Sequence, residues 1–141
     1  MAIVRKAHTI WSGDLKSGNG NTTFDSSGIG TYPVTWKARS EEPEATTSPE
    51  ELIAAAHSAC FSMAFSNELS KQGFNPTELN TEAVVDFVVG TGITTSQIMV
   101  KGKVDGISAE QFQEIAQLAG KNCPVSKALT GIEIKVDASL A

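Results

Sequence analysis

The chain has 141 residues, of which 40% are hydrophobic and 19% are charged, and its formal net charge is −5. This composition is typical of a single globular domain, spanning residues 1–141, and it excludes an intrinsically disordered chain. An acidic chain without a cluster of basic residues is also a poor candidate for binding the phosphate backbone of a nucleic acid.

The N-terminal third of the chain is predicted to form three strands that can pair as a meander. They cover Ala2–Trp11, Asn21–Ser26 and Tyr32–Ala38 and are separated by segments rich in turn formers. A charged loop rich in Pro and Thr, Ser40–Ser48, follows the third strand.

A long helix is predicted to begin at Ser48-Pro49-Glu50-Glu51. This segment has Ser at the N-cap, Pro at the first helical position and Glu three residues after the cap. The helix is expected to run to about Gln72, with Gly73 as its stop. Its middle is apolar nearly all round, which indicates burial on more than one side. Because a helix of about 24 residues is about 36 Å long, a second subunit is the expected cover.

Two strands follow the long helix and are expected to form a hairpin across a Gly-Thr-Gly turn. They cover Glu78–Val89 and Ile93–Val104. Ser108 and Gln111 then form a second capping box, which begins a helix that ends near Gly120.

The C-terminal segment combines a short helix with a last strand. Cys123-Pro124 begins the helix, which is expected to end near Thr130. The strand alternates between polar residues and the inward-facing Ile132, Ile134 and Val136. The predicted order is βββ-α-ββ-αα-β, with helices against a largely antiparallel sheet, which is an α+β fold.

The sequence gives no sign of a membrane or secretory segment. Its most apolar stretch, Leu52 to Phe65, is too short and too polar to span a bilayer. The N-terminal residues lack the apolar core and the small-residue cleavage site of a secretory signal. We therefore expect a cytoplasmic protein that binds neither membranes nor nucleic acids.

Two cysteines are the main candidates for chemistry. Cys60 lies inside the long helix, where apolar surroundings raise a thiol pKa and leave the group inert unless a cation is brought to it. Cys123 lies at a helix N-terminus, where backbone N–H groups favour a negative sulfur. A reducing compartment disfavours a permanent disulfide, so a redox or metal role and two inert buried thiols remain as alternatives.

The candidate cation is Arg39, which closes the third predicted strand. It either faces a cysteine and favours the thiolate, or lies at the surface and pairs with Glu41 or Glu42. Glu50 either only complements the dipole of the long helix or orients Arg39. Because Glu50 and Cys60 are about 15 Å apart along a straight helix, we expect Arg39 and Glu50 to meet Cys60 of the other subunit, unless the helix kinks.

His57 lies one helical turn before Cys60, on the same face of the helix. Together with Cys60 and Cys123 it could ligate zinc. A packed or hydrogen-bonded core histidine is the favoured alternative, because a four-ligand site would use every Cys and His of the chain.

Three motifs together resemble the OsmC/Ohr family, the osmotically inducible protein C and organic hydroperoxide resistance proteins. They are Trp11-Ser12-Gly13-Asp14-Leu15-Lys16, the helical segment from Ser48 to Ala64, and Cys123-Pro124-Val125-Ser126. The resemblance covers essentially the whole chain. It implies an OsmC-like fold, an intertwined homodimer with two active sites at the subunit interface, and a thiol-dependent peroxidase activity.

The resemblance also implies residue roles by motif position. Cys60 matches the peroxidatic cysteine, Cys123 the resolving cysteine and Glu50 the active-site glutamate. An arginine before the Pro-Glu-Glu helix, here Arg39, is typical of the OsmC branch, whereas the region where the Ohr branch has its arginine offers only Lys16.

The implied mechanism needs no metal, flavin or other cofactor. Arg39, held by Glu50, keeps Cys60 as a thiolate, which attacks a peroxide and becomes a sulfenic acid. Cys123 then forms a disulfide with Cys60, and an external dithiol, typically on a lipoyl-bearing protein, reduces it. The alternatives are a non-enzymatic dimeric stress or binding protein, the zinc site, and an OsmC-like hydrolase or repair enzyme.

Overall fold

The structure is a computed structural model that describes all 141 residues. The chain divides into two compact units, residues 1–52 and residues 53–141. None of its helices is both long enough and apolar enough to cross a membrane. A single domain over residues 1–141 stays a prediction.

Residues 1–52 contain a three-stranded antiparallel meander. Its strands are β1 (His8–Ser12), β2 (Asn19–Thr23) and β3 (Thr31–Val34), in the order β1-β2-β3. All three are shorter than predicted, and β1 begins at His8 instead of Ala2.

A short helix, α1 (Trp36–Ser40), replaces the predicted end of the third strand. Thr35 is its N-cap, and the Thr35 hydroxyl accepts a hydrogen bond from the Ala38 amide at 3.1 Å. The prediction that Arg39 closes a strand is therefore wrong, because a side-chain cap turns the chain into a helix before Arg39.

The long helix α2 (Pro49–Lys71) begins and ends where the sequence predicts. The Ser48 hydroxyl accepts a hydrogen bond from the Glu51 amide, as expected of an N-cap. Gly73, with φ +86°, takes the left-handed conformation that ends the helix.

Within the single chain, helix α2 is buried on one face, and its predicted burial on a further side depends on a second subunit. His57, Phe61, Phe65 and Leu69 recur every four residues on the buried face and are fully buried. The opposite face leaves exposed a strip of small or flexible apolar residues: Ala55, Ala56, Ala59 and Met63. Its cover by a second subunit stays a prediction.

Residues 53–141 contain a second three-stranded sheet. The hairpin of β4 (Pro76–Val88) and β5 (Gly92–Val104) is confirmed, and β6 (Glu133–Leu140) pairs with β5 in parallel. The connection to β6 runs through α3 (Ala109–Asn122) and α4 (Pro124–Ala128). Such a crossover is what a parallel pair requires. The α+β class is confirmed, with the order βββ-αα-ββ-αα-β.

The core of residues 53–141 lies between the sheet and helices α2 and α3. The rings of Phe61 and Phe65 have centroids 5.6 Å apart, and those of Phe65 and Phe112 are 4.9 Å apart. Gly102 on β5 lies directly under Phe112, where an added Cβ would come within 2.5 Å of the ring. This packing fixes the positions of α2 and α3 and, with them, of the two cysteines.

Candidate functional site

The two cysteines come together in residues 53–141. Cys60, in the middle of α2, is half-buried, whereas Cys123 is fully buried at the junction that ends α3 and begins α4. Both thiols are free, they interact with each other, and both interact with the backbone amide of Val125. The chain therefore places two unbonded thiols side by side.

The surroundings shift the two thiol pKa values in opposite directions. Burial raises the pKa of Cys60, the neighbouring Cys123 adds to the rise, and the Val125 amide only partly opposes it. Burial also raises the pKa of Cys123, but interactions with Ser126, Cys60 and the Val125 amide outweigh burial and lower it overall. Both directions agree with the sequence-based expectation for a thiol inside a helix and one at a helix N-terminus.

Helix α4 explains the lowered pKa of Cys123. No side-chain capping hydrogen bond of standard geometry forms at its first turn. The amides of Val125 and Ser126 nevertheless interact with the Cys123 sulfur, and the Ser126 hydroxyl does so as well. Free N–H groups at a helix start stabilise a negative charge there.

A second set of candidate residues lies in residues 1–52. Arg39 on α1 donates a hydrogen bond from Nε to Oε1 of Glu50, in the first turn of α2, at 2.8 Å. Glu50 therefore makes the contact with Arg39 that an orienting role of Glu50 requires. Glu50 is only 6% exposed, and its Oε2 is buried without a hydrogen-bond partner. A carboxylate oxygen buried in this way needs a donor from elsewhere to be satisfied.

An apolar cavity of about 370 Å³ lies beside Arg39 in residues 1–52. Its walls include Trp11, Leu15, Val34 and Trp36. The sequence analysis missed this cavity, because its lining comes from several separate segments whose residues show no common pattern.

His57 is a hydrogen-bonded core histidine, as favoured from the sequence. Its Nδ1 lies 2.6 Å from the Ser96 hydroxyl on β5, and its Nε2 lies 2.8 Å from the Ser126 hydroxyl on α4. Burial lowers the pKa of His57, which favours the neutral ring. The sequence predicted no contact of either serine with His57, because their proximity to His57 arises only from the fold.

The structure gives no support to the zinc alternative. Both ring nitrogens of His57 are engaged with hydroxyl groups. No group of three or more His, Cys, Asp or Glu side chains is arranged to hold a metal ion.

Comparisons with known proteins identify the family of the chain. The family model described as "OsmC-like protein" matches residues 41–138. The chain is also 41% identical to the peroxiredoxin OsmC of Escherichia coli (strain K12), over 99% of each chain.

Solved structures share the fold. An OsmC-like protein from Mycoplasma pneumoniae superposes with a TM-score of 0.76 at 13% identity, covering 100% of this chain and 99% of the other. An organic hydroperoxide resistance protein from Elizabethkingia anophelis, with thiocyanate bound, superposes with a TM-score of 0.73 at 24% identity over 100% of both chains. The predicted resemblance to the OsmC/Ohr family is confirmed, and the chain belongs to the OsmC-like protein family.

Proposed function

We propose that the protein is a thiol-dependent peroxidase that reduces hydroperoxides through Cys60 and Cys123. The contact between two free thiols, one half-buried and one fully buried, carries this proposal. The relative from Escherichia coli that shares 41% identity is named a peroxiredoxin, which supports the same chemistry.

The half-buried Cys60 is the thiol that meets peroxide. Its sulfur attacks the terminal oxygen of the hydroperoxide, the O–O bond breaks, and an alcohol or water leaves. The product at Cys60 is a sulfenic acid. Cys123, already in contact with Cys60, then displaces the sulfenic oxygen as water and forms the Cys60–Cys123 disulfide.

Arg39 supplies the positive charge that Cys60 needs. Burial keeps the proton on Cys60 within its own surroundings, so a cation must favour the thiolate. The Arg39 guanidinium, oriented by Glu50, fills this role and stabilises the charge on the leaving oxygen.

We further propose an intertwined homodimer with its active sites at the interface. The exposed small-residue face of α2 offers a surface on which a second helix can approach closely. Residues 1–52 also leave large apolar side chains exposed, including Ile10, Ile29 and Tyr32. In the proposed homodimer, the partner would cover such side chains.

We also propose a substrate class and a reductant. The apolar cavity beside Arg39 fits the hydrocarbon part of an organic hydroperoxide. A dithiol, which we propose is carried by a lipoyl-bearing protein, reduces the disulfide by thiol–disulfide exchange.

The test is a count of free thiols after reaction with peroxide. Reduced protein is mixed with one equivalent of cumene hydroperoxide or of hydrogen peroxide, and the remaining thiols are titrated over time. We expect wild type to lose both thiols, and Cys123→Ser to accumulate a trapped sulfenic acid on Cys60.

A control variant and the comparison of the two peroxides complete the test. Cys60→Ser is expected to slow peroxide consumption about a thousandfold or more, as removal of a nucleophile does, and the two peroxides rank the substrate class. Wild-type thiols that survive both oxidants would contradict the proposal and leave the non-enzymatic alternative.

A further inference from the structure

His57 joins a chain of buried hydrogen-bonding groups that ends at the two thiols. Ser96, His57 and Ser126 are linked through the two ring nitrogens, and all three are buried. The Ser126 hydroxyl also interacts with the Cys123 sulfur, which in turn contacts Cys60. The chain therefore connects β5, α2 and α4 to the resolving thiol.

The Ser126 hydroxyl has a single proton, and two arrangements of the network differ in where the protons of Cys123, Ser126 and His57 lie. In the first, the Cys123 thiol donates to Ser126, Ser126 donates to Nε2 of His57, and Nδ1–H of His57 donates to Ser96. In the second, His57 carries two protons, its Nε2–H donates to Ser126, and Ser126 donates to a Cys123 thiolate. The arrangements differ only by a shift of protons along existing contacts.

No charged side chain interrupts this chain of contacts. Three elements contribute groups that face the network. Helix α2 contributes the Cys60 thiol, the α3–α4 junction contributes the Cys123 thiol, and β5 contributes only the Ser96 hydroxyl. The charged residues of α3 and α4, namely Glu110, Glu114, Lys121 and Lys127, are exposed, and on α2 the buried Glu68 is paired with Lys71.

We propose that His57, acting through Ser126, accepts the proton of Cys123 when Cys123 attacks the sulfenic acid of Cys60. This inference rests on the proposed peroxidase function and gives His57 a part in that reaction. His57 is a positioning residue, because Ser126 and not His57 touches the reacting sulfur.

The step balances without a further reactant. The Cys123 proton passes through the Ser126 hydroxyl to Nε2 of His57, and the Cys123 thiolate attacks the sulfenic sulfur. The S–S bond forms as the S–O bond breaks, so the Cys123 thiol is oxidised and the sulfenic acid is reduced. The leaving hydroxide takes the proton back from the imidazolium and departs as water, which returns His57 to its neutral form.

Ser96 completes the arrangement on the far side of the ring. Its hydroxyl accepts from Nδ1–H in both arrangements and so holds the ring with Nε2 toward Ser126. A neutral ring is the form able to accept a proton, and the buried position of His57 favours that form.

The test separates the two chemical steps by rapid mixing with one equivalent of cumene hydroperoxide. Sulfenic acid formation and disulfide formation are followed in wild type, His57→Gln, Ser126→Ala and Ser126→Thr across a range of pH. Ser70→Ala, which changes an exposed serine on α2, is the matched control.

We expect sulfenic acid formation at the wild-type rate in all variants. Disulfide formation at neutral pH should fall on the order of tenfold to a hundredfold in His57→Gln and Ser126→Ala, as loss of a proton acceptor does. The deficit should narrow as pH rises, because hydroxide then removes the Cys123 proton directly. Ser126→Thr keeps a hydroxyl and should retain most of the wild-type rate.

Three outcomes would overturn the inference. Disulfide formation as fast in His57→Gln and Ser126→Ala as in wild type, or a deficit that is the same at every pH, would leave His57 a purely structural histidine. Wild-type thiols that never form a sulfenic acid would overturn the proposed peroxidase function and the relay together, which distinguishes that failure from the first two.

Discussion

The two compact units of the chain differ in their buried core and in their candidate site residues. Residues 53–141 bury the aromatic cluster of Phe61, Phe65 and Phe112 and hold both thiols, but burial there raises the pKa of Cys60. Residues 1–52 hold the Arg39–Glu50 pair and bury little beyond Val34 among their large apolar residues. We therefore expect substitutions in the core of residues 53–141 and substitutions at Arg39 to separate effects on stability from effects on thiol reactivity.

The largest effect on stability is expected from Phe65→Ala. Phe65 is fully buried and touches both Phe61 and Phe112, so its truncation leaves a cavity that costs about 3–5 kcal/mol of unfolding free energy. Chemical denaturation measures the change. Leu118→Ala, on the exposed side of α3, is the control and should cost less than about 1 kcal/mol. Equal losses at the two positions would contradict this account of the core.

The largest effect on reactivity without loss of the core is expected from Arg39→Ala. Removing the cation should slow sulfenic acid formation about a hundredfold, while the unfolding free energy of residues 53–141 changes little. Glu50→Gln, which weakens the orientation of Arg39, should have a smaller effect in the same direction. Stopped-flow mixing with peroxide gives both rates.

The control for Arg39→Ala is Arg5→Ala, which removes the other arginine of the chain. Arg5 is exposed, and its guanidinium bonds the carbonyl of the adjacent Val4. A rate in Arg39→Ala no lower than in Arg5→Ala would show that Arg39 does not act on the thiol.

Helix α2 allows a test of the proposed dimer. Ala59→Glu places a charge on its exposed small-residue face, and a buried unpaired charge at an interface is costly. We expect weakened self-association, measured by analytical ultracentrifugation across protein concentrations. Leu118→Glu introduces the same side chain on α3 and should leave association unchanged. Equal association of the two variants would contradict the placement of the interface on α2.

The smallest effect is expected in the pH dependence of the unfolding free energy, to which His57 contributes. Burial lowers the pKa of His57 in the folded state, so the unfolded chain binds its proton more readily. Stability should therefore fall as pH drops below the ordinary histidine value of about 6.5. Denaturation at neutral and acidic pH should show a smaller fall in His57→Gln than in wild type, with His8→Gln as the control at an exposed histidine.

Elements with local signals were predictable from the sequence. Ser48 and Ser108 each begin a helix through a side-chain cap, and Gly73 ends one through its positive φ. The helix α1 was missed because its cap, Thr35, stands between β-branched and aromatic residues that favour a strand. The local composition favours a strand, but the hydrogen bond from the Ala38 amide to the Thr35 hydroxyl caps a helix there.

Contacts between distant segments were predictable only in part. The family resemblance predicted that Cys60 and Cys123 act together and that Arg39 is held by Glu50, and the structure brings each pair into contact. The parallel pairing of β5 with β6 was not predicted, and neither was the network of His57 with its serines. These features depend on how three separate elements pack, which no local pattern encodes.

The most direct test of the account is the ionisation of Cys60 with and without Arg39. In the Cys123→Ser background, which leaves one thiol, the ultraviolet absorbance of the thiolate reports Cys60 alone as pH is raised. The account predicts that Arg39→Ala moves this transition to higher pH, because burial then acts on the thiol without a compensating cation. Superimposable titrations with and without Arg39 would contradict the proposal that Arg39 favours the Cys60 thiolate.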